Sequence, residues 1–390
     1  MSQATARSAS PSSDDSPHLR ILHMVTRGFG GGSERAITAA MEKEQAWGHE
    51  VFFAAGARGL PERGFSAVDR IPLHHLVRNP HPYRDVRALV ETRRLLRRLK
   101  PDVVHTHESK AGIIGRLAAI NLDTVVVHTV HMGSFGSGYP RMLSALFRLA
   151  ERLMARVTDA LVFVGNDLRT QFSKAAIRSR GVEMVIPSRI DLSRFLMSAE
   201  DKQALRQSGR EELSLNEADV VLVNIGLLEP RKRQVWLLAQ LRDSLISNNW
   251  KLLLVGTGRQ HDTLNSHIQE LGLQSHVQLL GFRTDIPRIM ASADVLVHAS
   301  LVEGVAQVMV QASAIGLPVV ATEVQGCGDI PDVQIVPSSE AGLTEGIKNA
   351  LSLAAPTSSG GLEAWAPEAV DAKHRELLTH LNQLRSRTAE

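Results

Sequence analysis

Short runs of apolar residues alternate along this chain with longer segments in which apolar positions recur every three or four residues. The short runs read as buried parallel strands and the longer segments as amphipathic helices. Residues 20–25 form the first run. A helical segment from about Glu34 to Trp47 follows and stops at Gly48, and Val51 to Ala55 form a second run. This β-α-β opening predicts a doubly wound sheet. Further strands are predicted at 101–107, 124–130, 160–164 and 183–186. A polar stretch, Ser198 to Ala218, separates them from a second series at 220–224, 251–255, 277–280, 294–299 and 318–321. The expected architecture is α/β, with Rossmann-like doubly wound domains at 18–190 and 191–360. A terminal segment at 361–390 carries Leu377, Leu378 and Leu381 on one helical face. A length of 390 residues suits two domains of about 150 to 200 residues each.

Composition narrows the class. The apolar fraction of 43% is that of a globular chain. A single cysteine, Cys327, excludes an internal disulfide framework and fits a reducing compartment. No apolar run is long enough for a membrane-spanning helix. Residues 1–17 are small, polar and rich in Ser and Pro, without the apolar core of a signal peptide, and read as a disordered tail. The net charge is only +3, but Arg84, Arg87, Arg93, Arg94, Arg97, Arg98 and Lys100 crowd one helical segment. Leu89, Val90, Leu95, Leu96 and Leu99 are its expected buried side. Residues 139–157 form a second basic amphipathic segment, with Leu143, Leu146, Phe147, Leu149 and Leu153 beside Arg141, Arg148, Arg152 and Arg156. Such helices suit peripheral contact with an anionic membrane, and their leucines suit a core equally well. With aromatics at 4%, there is little to stack on bases, which argues against nucleic acid.

Candidate chemistry gathers where strands end. Each strand of the second half opens onto a glycine or a charged residue, the pattern of a nucleotide crevice. The openings are Gly226 to Arg233, Gly256-Thr257-Gly258, Gly281-Phe282-Arg283 and the loop holding Glu303. Arg231 and Lys232 are available cations for a diphosphate. Glu303 stands just before a helix whose first amides suit a phosphate. In the first half, Gly28, Gly30, Gly31 and Gly32 open a helix, but Ser33 stands where a dinucleotide fingerprint needs its last glycine. The second strand ends in Ala54-Ala55-Gly56 without a carboxylate for a ribose, which argues against a nicotinamide cofactor. The amides at Gly30–Gly32 still suit a phosphate. His105 and His107 share one strand face and suit a metal, but the spacing names no further ligands. His131, at a strand end, suits either a substrate hydroxyl or a structural hydrogen bond.

Taken in order, these residues resemble the retaining glycosyltransferases of the GT-B fold, family 4 type. The resemblance rests on Glu303-Gly304-Val305-Ala306-Gln307 with Gln311-Ala312 and Gly316-Leu317-Pro318-Val319-Val320-Ala321-Thr322. Gly31-Gly32-Ser33-Glu34, the 101–107 strand, Thr129-Val130-His131, Ile190-Asp191, Gly226 with Lys232, Gly256-Thr257-Gly258 and the segment 281–285 support it. The resemblance implies two domains facing across a cleft, with the last helix crossing back to the first. It implies that Lys232 holds the diphosphate of a nucleotide-diphosphate sugar, helped by the amides of Val305, Ala306, Gln307 and Gly32. Phe282 and Arg283 would meet the base, Glu303 the sugar at the transition state, and His131 the sugar from the first domain. It implies a metal-independent reaction with no cofactor, the sugar nucleotide being a substrate. The implied acceptor is lipid-linked or polysaccharide, in cell-surface glycan synthesis of the lipopolysaccharide or O-antigen kind, in the cytoplasm at the inner face of the membrane. The chain departs from the family at Leu227, where an arginine is usual, and at Gln311, where a second glutamate is usual. It departs again at Ser188-Arg189 and Met132. These departures leave two alternatives open, a nucleotide-binding protein without transfer and a sugar-nucleotide epimerase.

Overall fold

The computed structural model describes residues 18–26, 32–57, 68, 70–136, 138–324, 326–353 and 361–388. The polar tail at 1–17, the glycines Gly28, Gly30 and Gly31, and the stretch 354–360 lie outside the described residues.

The first half contains β1 (Arg20–Val25), α1 (Gly32–Ala46), β2 (Glu50–Gly56), β3 (Arg70–Leu73), α2 (Pro82–Leu99), β4 (Val103–His107), α3 (Ser109–Ala119), β5 (Val125–Val130), α4 (Arg141–Ala155), β6 (Ala160–Phe163), α5 (Asn166–Lys174) and β7 (Val182–Val185). Its strands form a parallel sheet in the order β3-β2-β1-β4-β5-β6-β7. The second half contains α6 (Ala199–Glu212), β8 (Val221–Ile225), α7 (Gln234–Ser247), β9 (Lys251–Val255), α8 (His261–Glu270), β10 (Val277–Gly281), α9 (Ile286–Ser292), β11 (Val295–His298), α10 (Gln307–Ala314), β12 (Val319–Thr322), β13 (Val333–Val336), α11 (Glu340–Ser352) and α12 (Pro367–Thr388). Its sheet, also parallel, runs β10-β9-β8-β11-β12-β13.

Strand order reverses between β1 and β4 in one sheet and between β8 and β11 in the other. A doubly wound sheet leaves a crevice at such a point, outside the strands' carboxyl ends. The β8–β11 switch point carries Gly226 and the Glu303 loop. The β1–β4 switch point carries a row of histidines. Both sheets are buried on both faces, so their strands are nearly continuous apolar runs. Ile186 packs into the first core, whereas Ile190, Leu192 and Phe195 pack into the second. The last helix, α12, lays Val370, Leu377, Leu378 and Leu381 against Leu19, Ile21, Val103 and Val127 of the first sheet. The architecture is the GT-B arrangement that the motif series implies. Among the described residues no helix is long and apolar enough to cross a membrane.

Several elements escape a reading of the pattern. The four-residue β3 is an edge strand carrying Pro72, which an edge tolerates. Helix α3 is buried nearly all round and so has no amphipathic stripe. In α2, Ala88, Thr92, Leu95 and Leu96 face the core, while Val90, expected inside, is exposed. Two positions beyond Ala88 is about 200° around the helix, so Val90 belongs to the outer face.

Helix α4 turns its leucines outward. Met142 is 88% exposed, Leu146 59% and Leu149 53%, whereas its buried residues are Glu151 and Ala155. The core reading of those leucines is therefore wrong. From inside, α4 is held by Phe147 and Ala155, which pack on Phe163, Leu168 and Phe172 and their neighbours, and by an ion pair, Arg116 Nη2 to Glu151 Oε2 at 2.9 Å, buried at both ends. Arg116 also donates from Nε to the Gly112 carbonyl at 2.8 Å. Removing one partner of such a pair leaves an uncompensated buried charge, a loss of roughly 3–5 kcal/mol.

The first sheet buries an unusual number of imidazoles. His23, His105 and His107 lie on the α1/α12 face, and His128 lies on the other. Burial holds His105, His107 and His128 well below the ordinary histidine value, and it pushes His131 down to about 4. Between pH 6.5 and about 4 the unfolded chain therefore binds protons that the folded chain does not, so stability falls as pH falls. Each such group contributes about 1.4 kcal/mol per pH unit in that window. The thermal midpoint of the first domain is expected to drop by roughly 10 °C between pH 7.5 and pH 5.5. Calorimetry showing a midpoint constant over that range would contradict the burial of these rings in neutral form.

Candidate active site

Glu303 sits in the loop between β11 and α10 and is 7% exposed. Lys232 Nζ lies 2.5 Å from its Oε1, Arg231 Nη1 3.6 Å from its Oε2, and His298 Nε2 3.5 Å from its Oε1. Burial alone would raise this carboxyl. His298, Lys232 and Arg231 outweigh it and hold Glu303 well below the usual carboxylate range. Burial also lowers His298, only partly offset by Glu303. The two cations come from the short 3-10 turn Pro230–Lys232 after β8. That turn is tied to the Glu303 loop by Leu301, whose N–H donates to the Arg231 carbonyl at 2.8 Å. Leu227, the departure from the usual arginine, is half-exposed. Arg231 supplies a second cation beside Lys232. Arg233 does not: it lies over Trp236 at 3.5 Å and reaches Ser338.

The remaining second-domain candidates divide. Ala306 caps α10, so the Val305–Gln307 amides open a helix N-terminus beside Glu303. Gln311 lies one turn beyond Gln307 on the same face. It is half-buried, and its side chain makes no hydrogen bond to another described residue. Phe282 is 69% exposed at the end of β10, free to stack. Arg283 is committed elsewhere, to Asp285 at 2.7 Å and Glu212 at 2.6 Å. Gly226 leaves room for the Lys232 stem, 3.5 Å from where a Cβ would stand. Gly256 and Gly258 lie against the backbone of Gly226 and Leu228, where a Cβ would come within 2.0 and 2.4 Å of carbonyl oxygens. Their role is to let the two loops meet.

The first domain reaches the same place. A Cβ on Gly304 would fall 1.7 Å from the His131 carbonyl oxygen, so the residue beside Glu303 sits flush on the residue expected to touch the sugar. At the start of α5, Asp167 Oδ2 accepts the Gly326 N–H at 3.1 Å and Asn166 donates to Asp329 at 3.0 Å, closing the two domains on one side. Gly32 heads α1, and Gly31 lies outside the described residues. His131 is half-buried, and its Nε2 lies 3.0 Å from His107 Nδ1. His23 joins His105 and His107, the third imidazole that the His-x-His spacing could not name, with nitrogens of the three within 4.8 Å. His23 Nδ1 and His107 Nε2 are hydrogen-bonded to each other at 3.0 Å. Arg189, the departure before Ile190, pairs with Asp371 of α12. The sequence reading missed His298, His23, Asp167 and Asp329. Only Asp167 carried a local signal, standing in the first turn of a helix that follows a strand and Gly165.

Two family models match the chain, Glycosyltransferase Family 4 over residues 30–194 and Glycosyl transferases group 1 over 219–353. The Escherichia coli UDP-Gal:alpha-D-GlcNAc-diphosphoundecaprenol alpha-1,3-galactosyltransferase is 32% identical over 258 residues, 64% of this chain and 65% of that enzyme. The match thus spans just under two thirds of that relative's length. Among solved structures, Anabaena HepE in complex with UDP and glucose superposes with a TM-score of 0.68 at 21% identity, covering 95% of this chain and 99% of that one. WaaG, a glycosyltransferase involved in lipopolysaccharide biosynthesis, superposes with a TM-score of 0.65 at 20% identity, covering 94% and 98%. The chain belongs to the family 4-type glycosyltransferases of the GT-B fold.

Proposed function

We propose that the protein is a retaining, metal-independent glycosyltransferase that moves a hexose from a UDP-sugar to a lipid-linked acceptor in cell-surface glycan synthesis. The observation that carries this reading is the Glu303 carboxylate held between Lys232 and Arg231, with Gly304 against His131. The galactosyltransferase relative, which uses UDP-Gal and a diphosphoundecaprenol acceptor, supports the donor and acceptor classes. The complex of HepE with UDP supports the base.

Chemically, departure of the diphosphate is the step that needs help. Lys232, Arg231 and the amides opening α10 present positive charge to the departing oxygens, fixed in place before the reaction. Gln311 holds the ribose through its amide, and Phe282 stacks on the uracil. The anomeric carbon then gains cationic character beside Glu303, whose negative charge stabilises it. The acceptor oxygen attacks from the face the diphosphate leaves, and its proton passes to the leaving phosphate oxygen. The configuration is kept without a second carboxylate placed as nucleophile. Arg231, in contact with Glu303, supplies charge that Leu227 lacks and weighs against the reading of a transferase that has lost its activity.

The acceptor's lipid fits α4. Met142, Leu146, Leu149 and Leu153 form an exposed apolar stripe beside exposed Arg141, Arg148, Arg152 and Arg156. Exposed apolar and basic side chains on one helix suit the surface of an anionic bilayer. The loop leading into α4 touches the Glu303 loop, since a Cβ at Gly138 would fall 2.4 Å from Val302 Cγ2, and this supports a membrane contact near the cleft. The active site then stands on the cytoplasmic side, where UDP-sugars are made.

With a UDP-sugar panel and a polyprenyl-diphosphate acceptor, Lys232→Ala and Glu303→Gln are each expected to lower kcat by about 10²–10³-fold. Unchanged turnover in both variants would contradict the assigned roles, and an inverted anomer in the product, read by proton NMR, would contradict retention. The protein is expected to float with vesicles of phosphatidylglycerol and phosphatidylcholine. The double substitution Leu146→Ser with Leu149→Ser is expected to abolish flotation, and salt to weaken it. Equal flotation of the double variant would remove α4 as the contact.

A further inference from the structure

The first domain carries, on the α4 side, two cations that no step of the transfer has used. After β3 the chain turns over the carboxyl end of the first sheet. A Cβ on Gly56 would fall 2.4 Å from the Thr26 carbonyl oxygen and 2.5 Å from that of Leu76, so the turn is seated on the ends of β1 and β2. Further along it, the Asn79 carbonyl accepts from Lys110 Nζ at 3.3 Å. Lys110 stands in the first turn of α3, beside the β1–β4 switch point, where the Ala111 N–H donates to Thr26 Oγ1 at 3.0 Å. Lys110 also pairs with Asp85 Oδ1 at 2.6 Å, which holds its ammonium group beside the turn. Arg78, next to Asn79, is exposed and has no ion-pair partner among the described residues.

The turn opens on the same cleft as Glu303. Tyr139, in the loop that leads into α4, donates from its hydroxyl to the Gly133 carbonyl at 3.1 Å. Burial raises this hydroxyl, and Arg231 and Arg78, one from each domain, draw it back down, so both guanidinium groups lie near one ring. Arg231 is the cation 3.6 Å from Glu303. The residue before Tyr139, Gly138, lies against Val302 of the Glu303 loop. Helices α2 and α3 pack on the face of the first sheet opposite α12, and the Arg116–Glu151 pair ties α3 to α4. Arg78 and Lys110 thus belong to the α4 side of the cleft, apart from the Lys232 and Arg231 that serve the donor.

A lipid-linked acceptor reaches Glu303 sugar first, with its lipid still at the bilayer. The diphosphate that joins the two then lies between α4 and the carboxylate. It is not the leaving group, so what meets it governs acceptor binding. We propose that Arg78 and Lys110 form the subsite for the acceptor's diphosphate and select a diphosphate-linked acceptor over a glycoside without phosphate. Arg78 supplies a planar fork for two phosphate oxygens, and Lys110 a point charge. Asp85 keeps Lys110 oriented before the ligand arrives, which lowers the cost of binding. The inference rests on the lipid-linked acceptor of the proposed function, and adds where its diphosphate goes and which groups hold it.

The test is steady-state kinetics of the full-length protein with two soluble acceptors, a sugar joined to geraniol through a diphosphate and the geranyl glycoside of the same sugar. The wild type is expected to prefer the diphosphate acceptor by about 10²-fold in kcat/KM. Arg78→Gln and Lys110→Gln are each expected to raise the KM of that acceptor about tenfold, with the KM of the donor and of the glycoside little changed. Arg78 is exposed, so its substitution leaves the fold intact. An unchanged acceptor KM in Arg78→Gln would overturn the proposal, as would an equal loss with the glycoside. Flotation with phosphatidylglycerol vesicles separates the acceptor's phosphates from those of the bilayer. Flotation lost in Arg78→Gln, with the KM of the soluble acceptor unaltered, would assign Arg78 to the membrane and overturn the subsite. Turnover of neither acceptor by the wild type would count against the proposed function, and calorimetric titration of geranyl diphosphate at saturating UDP then decides the subsite by itself. Binding about tenfold weaker in Arg78→Gln than in the wild type supports it; equal binding, or none by the wild type, overturns it.

Discussion

The site is organised by one buried carboxylate that is stable only because cations surround it. Glu303 is nearly inaccessible, yet it is held ionised by Lys232, Arg231 and His298. In a doubly wound sheet those groups arrive from two strands on either side of the switch point, β8 with its following turn and β11 with its following loop. The Leu301–Arg231 backbone bond fixes one loop to the other. The first domain then closes on this assembly through the bare backbone of Gly304. A side chain at that position would push His131 away, so the spacing of the two domains and the chemistry of the cleft are set by the same residue.

The alternation of apolar runs and helical periods made both sheets legible, because parallel strands buried on two faces are continuous apolar stretches. Glu303, Lys232 and the glycines at strand ends were legible for a related reason: the carboxyl ends of such strands are where a chain can place polar groups without burying them unpaired. The histidine row was not. His23 looks like one more residue in an apolar strand, and only the register of β1 beside β4 sets it next to His105. Its partner Glu44 looks like an ordinary helix residue until α1 is seen lying on that sheet face. Long-range pairing of this kind leaves no local periodicity.

Helix α4 shows how an amphipathic pattern can mislead. Its apolar stripe is real, but the side that faces the protein is the one with Glu151, because Arg116 waits there with a buried guanidinium. Periodicity gives the existence of two faces and not which of them is inside. Arg283 is similar: its place in the glycine-strand-end pattern suggested the nucleotide, and the structure commits it to Asp285 and Glu212.

The pairing of Glu303 with Lys232 has a direct consequence for the nucleotide. A diphosphate entering the cleft must share Lys232 with the carboxylate and approach a negative charge. Calorimetric titration of UDP into wild type and Glu303→Gln therefore tests the account most directly. The prediction is that the variant, although impaired in turnover, binds UDP about tenfold tighter, a gain of ~1.4 kcal/mol. Equal or weaker binding by the folded variant would mean that Lys232 and Glu303 do not face the diphosphate, and would contradict the account.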